Sequence, residues 1–177
     1  MALPLVWLGV GLTAWAGTQI AREKQVSDGH IKHFPGEDST MVKPQDGTVV
    51  CCGIYGVFQH TGIWVDDHII ERHGNGLVRA ISPRRFLANR SGSRIYAACD
   101  EHHTPLIANG AADRAVSRIY EYADYDVIDN NCHRFTLACT GATSTNVTRF
   151  AQFNAALSQQ FATVIHWQPC AIPACLL

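Results

Sequence analysis

Gln59-His60-Thr61-Gly62-Ile63-Trp64-Val65-Asp66-Asp67-His68-Ile69-Ile70-Glu71-Arg72-His73 reads as two β-strands joined by a tight turn. Side chains alternate across a strand, so His60, Gly62 and Trp64 share one face of the first arm. Asp66-Asp67 is the expected turn, a poorer version of the Asp-Gly pair that such hairpins favour. With two residues in the turn, Gly62 falls opposite Glu71, and His60 falls opposite His73. Glu71 and His73 then share the face of His60, one as a diagonal and one as a direct neighbour. A change of one residue in the turn would send both to the other face.

Outward from this hairpin, Thr48 to Tyr55 is β-rich and reads as the preceding strand. Gly74-Asn75-Gly76 closes the hairpin, and Leu77 to Ile81 is a further short strand. Ser82-Pro83 opens a brief helix through Leu87. Arg94 to Cys99 is strand-like, and Ala111 to Tyr122 has helical spacing at Ala115, Ile119 and Tyr122. Val147, Phe150, Asn154, Leu157, Phe161 and Val164 mark a last amphipathic helix. Residues 25–46, interrupted by Gly29, Pro35, Gly36 and Pro44, read as a linker. The fold class is therefore α+β, a small antiparallel sheet packed with helices and preceded by an apolar N-terminal helix. The expected division is 1–21 apolar segment, 22–46 linker, 47–141 main domain, and 142–177 C-terminal helix and tail.

The chain has 177 residues, 47% hydrophobic and 16% charged, enough for one domain with a proper core. Its net charge of −1 gives no electrostatic case for nucleic acid as the partner. Seven cysteines without a CxxC pair argue against structural zinc, and nothing has the spacing of an HExxH metal site. No metal or organic cofactor is expected. The odd count suits a reducing compartment better than a disulfide framework. Vicinal Cys51-Cys52 reads as two strand residues on opposite faces.

Residues 1–21 carry no charged side chain, and Leu3 to Ile20 approaches the roughly 20 apolar residues that cross a bilayer. Arg22, Lys24 and Lys32 follow, which by the positive-inside bias keeps the main domain cytoplasmic. The expectation is a membrane-associated protein. The competing readings are a signal peptide cleaved near Ala16, giving a secreted or periplasmic protein, and a buried core helix.

The second chemical feature is Asn130-Asn131-Cys132-His133-Arg134-Phe135. Asn131 is a good helix N-cap, Cys132, Phe135 and Cys139 fall on one helical face, and Gly141 ends the run. A thiol in the first helical turn meets the positive end of the helix dipole, which favours the thiolate. A single cysteine there is more often a buried apolar residue than a nucleophile. A strand histidine to take its proton, and a polar group to orient that histidine, change the balance. His60 is the candidate base, with Glu71 or His73 as the third group. Gly62, lacking a side chain, leaves room for a substrate or a second element to approach the strand. His133 has no evident partner in the sequence.

The succession of strand histidine, turn, strand ending in Glu or His, and later Asn-Asn-Cys-x-x-Phe resembles the lecithin:retinol acyltransferase-like (LRAT-like) domain. That domain belongs to the circularly permuted branch of NlpC-type papain-like thiol enzymes. The matching stretches are His60 to Asp67, Ile69 to Glu71, Leu77 to Leu87, and Tyr125 to Phe135, within residues 43–141. The resemblance implies Cys132 as nucleophile, His60 as base and Glu71 as third residue, with His73 as the alternative. Two departures stand out. Many relatives carry Glu-His after the Asn-Cys where this chain has His133-Arg134, and the third residue is often His. The implied activity is a thiol acyltransferase or acyl hydrolase working through an acyl-Cys132 intermediate, with phospholipid esters as an acyl source. A cysteine peptidase or amidase is the second expectation. A membrane-tethered binding module with an inactive site is the third.

Overall fold

Asp66 and Asp67 both take positive φ, 46° and 57°, which is the type I′ geometry that matches the twist of two antiparallel strands. In the computed structural model, which describes residues 19–54, 58–126, 130–143 and 147–177, this turn sets the register. Strands β3 (Phe58–Val65) and β4 (His68–Arg72) pair Val65 with His68, Trp64 with Ile69 and Ile63 with Ile70. The two-residue turn therefore puts Glu71 on the His60 face, as the alternation requires.

Around the hairpin stand β1 (Ile31–His33), β2 (Val49–Ile54), β5 (Val78–Ile81), β6 (Tyr96–Cys99) and β7 (Ile165–Pro169). They form one seven-stranded sheet in the order β1-β7-β6-β2-β3-β4-β5. β1 and β7 run parallel and the other neighbours antiparallel. The helices are α1 over residues 19–27, α2 (Pro83–Leu87), α3 (Ala111–Val116), α4 (Cys132–Thr140) and α5 (Phe150–Phe161). The molecule is α+β, and its sheet is larger than expected and mixed rather than purely antiparallel.

Two apolar clusters cover the sheet. Cys51, Ile63, Ile70 and Val78 join Phe135, Leu137 and Cys139 of α4 and Phe153 and Leu157 of α5. Val50, Cys52, Trp64, Ile69 and Ile81 pack with Phe86 of α2. Cys51 and Cys52 thus lie in different clusters, as two successive strand residues must.

Three expectations change. Residues 22–46 hold the end of α1 and the edge strand β1, so they belong to the sheet instead of linking to it. Residues 142–177 are no tail, because β7 sits between β1 and β6 with every residue buried. The helix expected over Ala111 to Tyr122 stops at Val116. Beyond it Tyr120 turns to φ 71° and donates its N–H to the Val78 carbonyl, while Glu121 accepts from the Val78 N–H. That backbone is committed to the free edge of β5. The apolar N-terminal helix falls mainly on residues 1–18, outside those described. Among the described residues no helix is long and apolar enough to cross a membrane.

Candidate active site

Cys132 is the first residue of α4. Asn131, extended at φ −111° and ψ 176°, caps the helix by accepting the Arg134 N–H at 2.9 Å. Its side-chain amide donates to the Val147 carbonyl at 2.9 Å, which ties the cap to the chain entering α5. Gly141 ends the helix in the left-handed region at φ 84°. The inward face carries Cys132, Phe135 and Cys139, all buried, and fixes the rotation of the helix. The thiol therefore stands at the positive helix end, only 4% exposed.

The first turn of α4 stands over β3. His133 Nδ1 lies 3.1 Å from the Thr61 hydroxyl, to which the Thr136 hydroxyl also donates at 3.1 Å. This seats Cys132 beside His60, and the two side chains interact through a hydrogen bond and through charge. His60 Nε2 is 2.6 Å from Glu71 Oε2, and both side chains are buried. Because Nε2 is bonded to a carboxylate, Nδ1 is the nitrogen left for the thiol. Phe86 lies against the imidazole, with ring centroids 5.3 Å apart.

Glu71 is completely buried and holds three cationic or potentially cationic partners. Arg79 donates Nε and Nη2 to Oε1 at 3.0 and 2.8 Å, a contact that follows from the Glu71–Arg79 pairing of β4 with β5. Arg90 donates Nη2 to Oε2 at 2.9 Å, so it shares that oxygen with His60. Arg90 Nη1 also donates to the Phe86 carbonyl and lies 3.6 Å from Cys52 Sγ.

The electrostatics follow from these contacts. Burial pushes the Cys132 thiol up, but the charges and hydrogen bonds of His133 and His60 outweigh it and hold the thiol well below its usual range. Burial works against a charged His60, yet the Cys132 charge and hydrogen bond, and after them Glu71, push it up to about 9. Burial likewise disfavours the Glu71 carboxylate, and His60 and then Arg90 more than offset this, keeping it ionised. Cys52, Cys99 and Cys139 are pushed up to about 11, 12 and 11, chiefly by burial. Cys132 alone among these four thiols is favoured as the thiolate, paired with an imidazolium.

Of the two candidates for the third position, Glu71 reaches His60 and His73 does not. His73 is half-buried, and its Nδ1 instead accepts the Asn75 N–H at 3.3 Å inside the following turn. Gly62 serves the sheet and not a substrate: a Cβ there would stand 2.7 Å from Ile69 Cγ2 and 2.8 Å from the Ile70 carbonyl oxygen. It lets β3 and β4 close up, which brings Glu71 within reach of His60.

Sequence reasoning missed three neighbours. His133 Nδ1 is 4.0 Å from Cys132 Sγ, and the Tyr125 hydroxyl points at the same sulfur from 3.9 Å. Arg90 lies in a loop with no pattern around it. The adjacency of His133 to Cys132 was visible, but nothing in the sequence told that Thr61 and Phe153, whose ring is 5.0 Å away, would turn its imidazole inward. A cavity of about 430 Å³ lined by His30, Val147, Gln152 and Ser158 includes none of Cys132, His60 and Glu71 and has no part in the chemistry above. Among the described residues no group of three His, Cys, Asp or Glu side chains is disposed to hold a metal ion. Compared with known proteins, the chain matches no family model, no characterised protein and no solved structure.

Proposed function

We propose that the protein is a cysteine-dependent acyltransferase or acyl hydrolase that works through an acyl-Cys132 intermediate. The observation that carries this reading is the chain of contacts from Cys132 through His60 to a fully buried Glu71. A buried thiol of low proton affinity, an imidazole beside it and a carboxylate fixing that imidazole are the parts that nucleophilic acyl transfer needs. The resemblance to LRAT-like domains agrees with this and suggests phospholipid or other acyl esters as donors. The apolar stretch at residues 1–21 would bring the site to a lipid surface and keep the protein membrane-associated.

The Cys132 thiolate attacks the acyl carbonyl, forming the C–S bond while the carbonyl π pair moves to oxygen. Backbone N–H groups at the start of α4 are oriented to meet that oxyanion. Collapse breaks the bond to the leaving oxygen, which takes the proton from His60 Nδ1. The same step consumes the thiolate, the foremost group holding the proton on His60. Proton release is thereby coupled to acylation. His60, now neutral, can draw a proton from water or an acceptor alcohol or amine, and attack on the thioester regenerates Cys132.

Incubation of the whole chain with phosphatidylcholine vesicles tests the reading. The expected result is release of fatty acid, or transfer of the acyl group to an added amine, abolished in Cys132→Ala and in His60→Ala. Equal product from parent and Cys132→Ala would contradict it. Cleavage of amide substrates with inert lipid esters would move the protein to the amidases.

A further inference from the structure

The orienting carboxylate of this site is over-neutralised. Glu71 is one negative charge, and two guanidinium groups, Arg79 and Arg90, bind it before His60 is counted. The charged and titratable groups around His60 are Cys52 from β2, Glu71 from β4, Arg79 from β5, Arg90 from the loop after α2, and Cys132 with its neighbour Tyr125. Burial keeps the Cys52 thiol and the Tyr125 phenol protonated, so neither adds charge. Once Cys132 is acylated its charge is gone. What then faces His60 is one carboxylate already claimed by two arginines.

Arg90 is the more intimate of the two. Its Nη2 donates to Oε2, the oxygen that also receives His60 Nε2, so the two donors compete for the same lone-pair density. Its Nη1 is fixed by the Phe86 carbonyl, and its guanidinium lies 4.7 Å from the centroid of the Phe86 ring, whose other neighbour is His60. The fork shape holds carboxylate, ring and backbone together, which a lysine could match in charge but not in geometry.

We propose that Arg90, assisted by Arg79, is a positioning residue that orients Glu71 while withholding its charge from His60, so that the imidazolium becomes a strong proton donor once the thiolate is consumed. This rests on the acyl-transfer reading and narrows its substrate class. A strong proton donor matters when the leaving oxygen is a poor one, such as the alkoxide of an alkyl or glycerol ester. It matters little for a thioester or an aryl ester, whose leaving groups depart unprotonated. The balanced step is formation of the Cys132 thioester, cleavage of the C–O bond and delivery of the His60 Nδ1 proton to the departing oxygen, yielding an alcohol.

The test has two arms. In a Cys132→Ala background, which removes the thiolate as acylation does, His60 is titrated by NMR of its imidazole in the full chain. Arg90→Gln is expected to raise the His60 pKa by about one unit, because a cation near the imidazolium is lost, and Arg90→Lys to hold it near the parent value. In the Cys132-containing protein, Arg90→Gln is expected to slow ethyl butyrate turnover about ten-fold in kcat and p-nitrophenyl butyrate turnover far less. Arg79→Gln, at a position open to solvent at its outer side, is read in the same way if Arg90→Gln fails to fold. An unchanged His60 titration in the folded Gln variants, or equal slowing of both esters, would overturn the inference. Inert esters with a shifted His60 titration would instead overturn the acyl-transfer reading and leave the charge arrangement standing.

Discussion

Glu71 carries the largest electrostatic load of any residue in the molecule's candidate site, and its removal has a defined consequence. Glu71→Gln leaves Arg79 and the mostly buried Arg90 without their counter-charge, and a broken buried pair of this kind costs about 3–5 kcal/mol. Urea denaturation of parent and variant at neutral pH measures that loss. The pH dependence has a definite sign. A carboxyl held below its unfolded value contributes its full stability above the ordinary carboxylate pKa, roughly 4.3, and loses it as pH falls from there toward the folded value. The parent is therefore expected to lose stability more steeply than Glu71→Gln below pH about 4. The thiol has its own signature. Cys132 is expected to react with iodoacetamide at pH about 6 faster than any of the other six cysteines, by peptide mass spectrometry. Fastest labelling of Cys99 or Cys139 would contradict the ion pair.

Helix α4 and the β3–β4 hairpin are the two elements that must agree for the site to exist. The Asn131 cap both ends an unsatisfied N–H and anchors the helix start to Val147. Asn131→Ala is expected to cost about 1–2 kcal/mol and to raise the pH at which Cys132 becomes reactive, since the helix start then frays. In the hairpin, Gly62→Ala would press a methyl group against Ile69 and the Ile70 carbonyl. Prying the strands apart should cost about 1–3 kcal/mol and reduce Cys132 alkylation by loosening His60 from Glu71. Both elements were legible in the sequence for a physical reason. Strand alternation and the two-residue turn fix which residues share a face, and an Asn-Cys start with Phe135, Cys139 and Gly141 fixes a short helix. Arg90 was not legible, because an arginine after Asn89 in a loop obeys no period. Its role depends on where α2 happens to bring it.

At the scale of the whole molecule, the sheet is completed by segments far from the hairpin. Asn154 of α5 donates to Gln25 Oε1 and accepts from Trp167 Nε1, each at 3.0 Å, and joins α1, α5 and β7 in one buried network. Asn154→Ala strands both partners and is expected to cost about 1–3 kcal/mol, read as a lowered melting temperature with the site chemistry intact at low temperature. The strands at this end escaped the sequence reading for reasons the structure makes plain. β1 is three residues long in a stretch punctuated by glycine and proline. In β7, His166 and Gln168 are buried along with the apolar residues, which erases the polar-outward alternation that marks a half-exposed strand. His166 is satisfied by His33 across β1 at 3.1 Å, and Gln168 by Asp38 and His103 at 3.1 and 3.0 Å. The site lies on the locally ordered half of the fold, and the half built from long-range pairing only supports it.

The central claim is that Cys132 accepts an acyl group, and the intact mass of the protein tests it most directly. The whole chain is exposed briefly to phosphatidylcholine vesicles, quenched in acid and weighed, with Cys132→Ala alongside and free fatty acid assayed in the same tube. The account predicts a mass increment of one acyl chain on the parent, mapped to Cys132, and none on the variant. An unmodified parent with no fatty acid released, or an increment of equal size on Cys132→Ala, would contradict it.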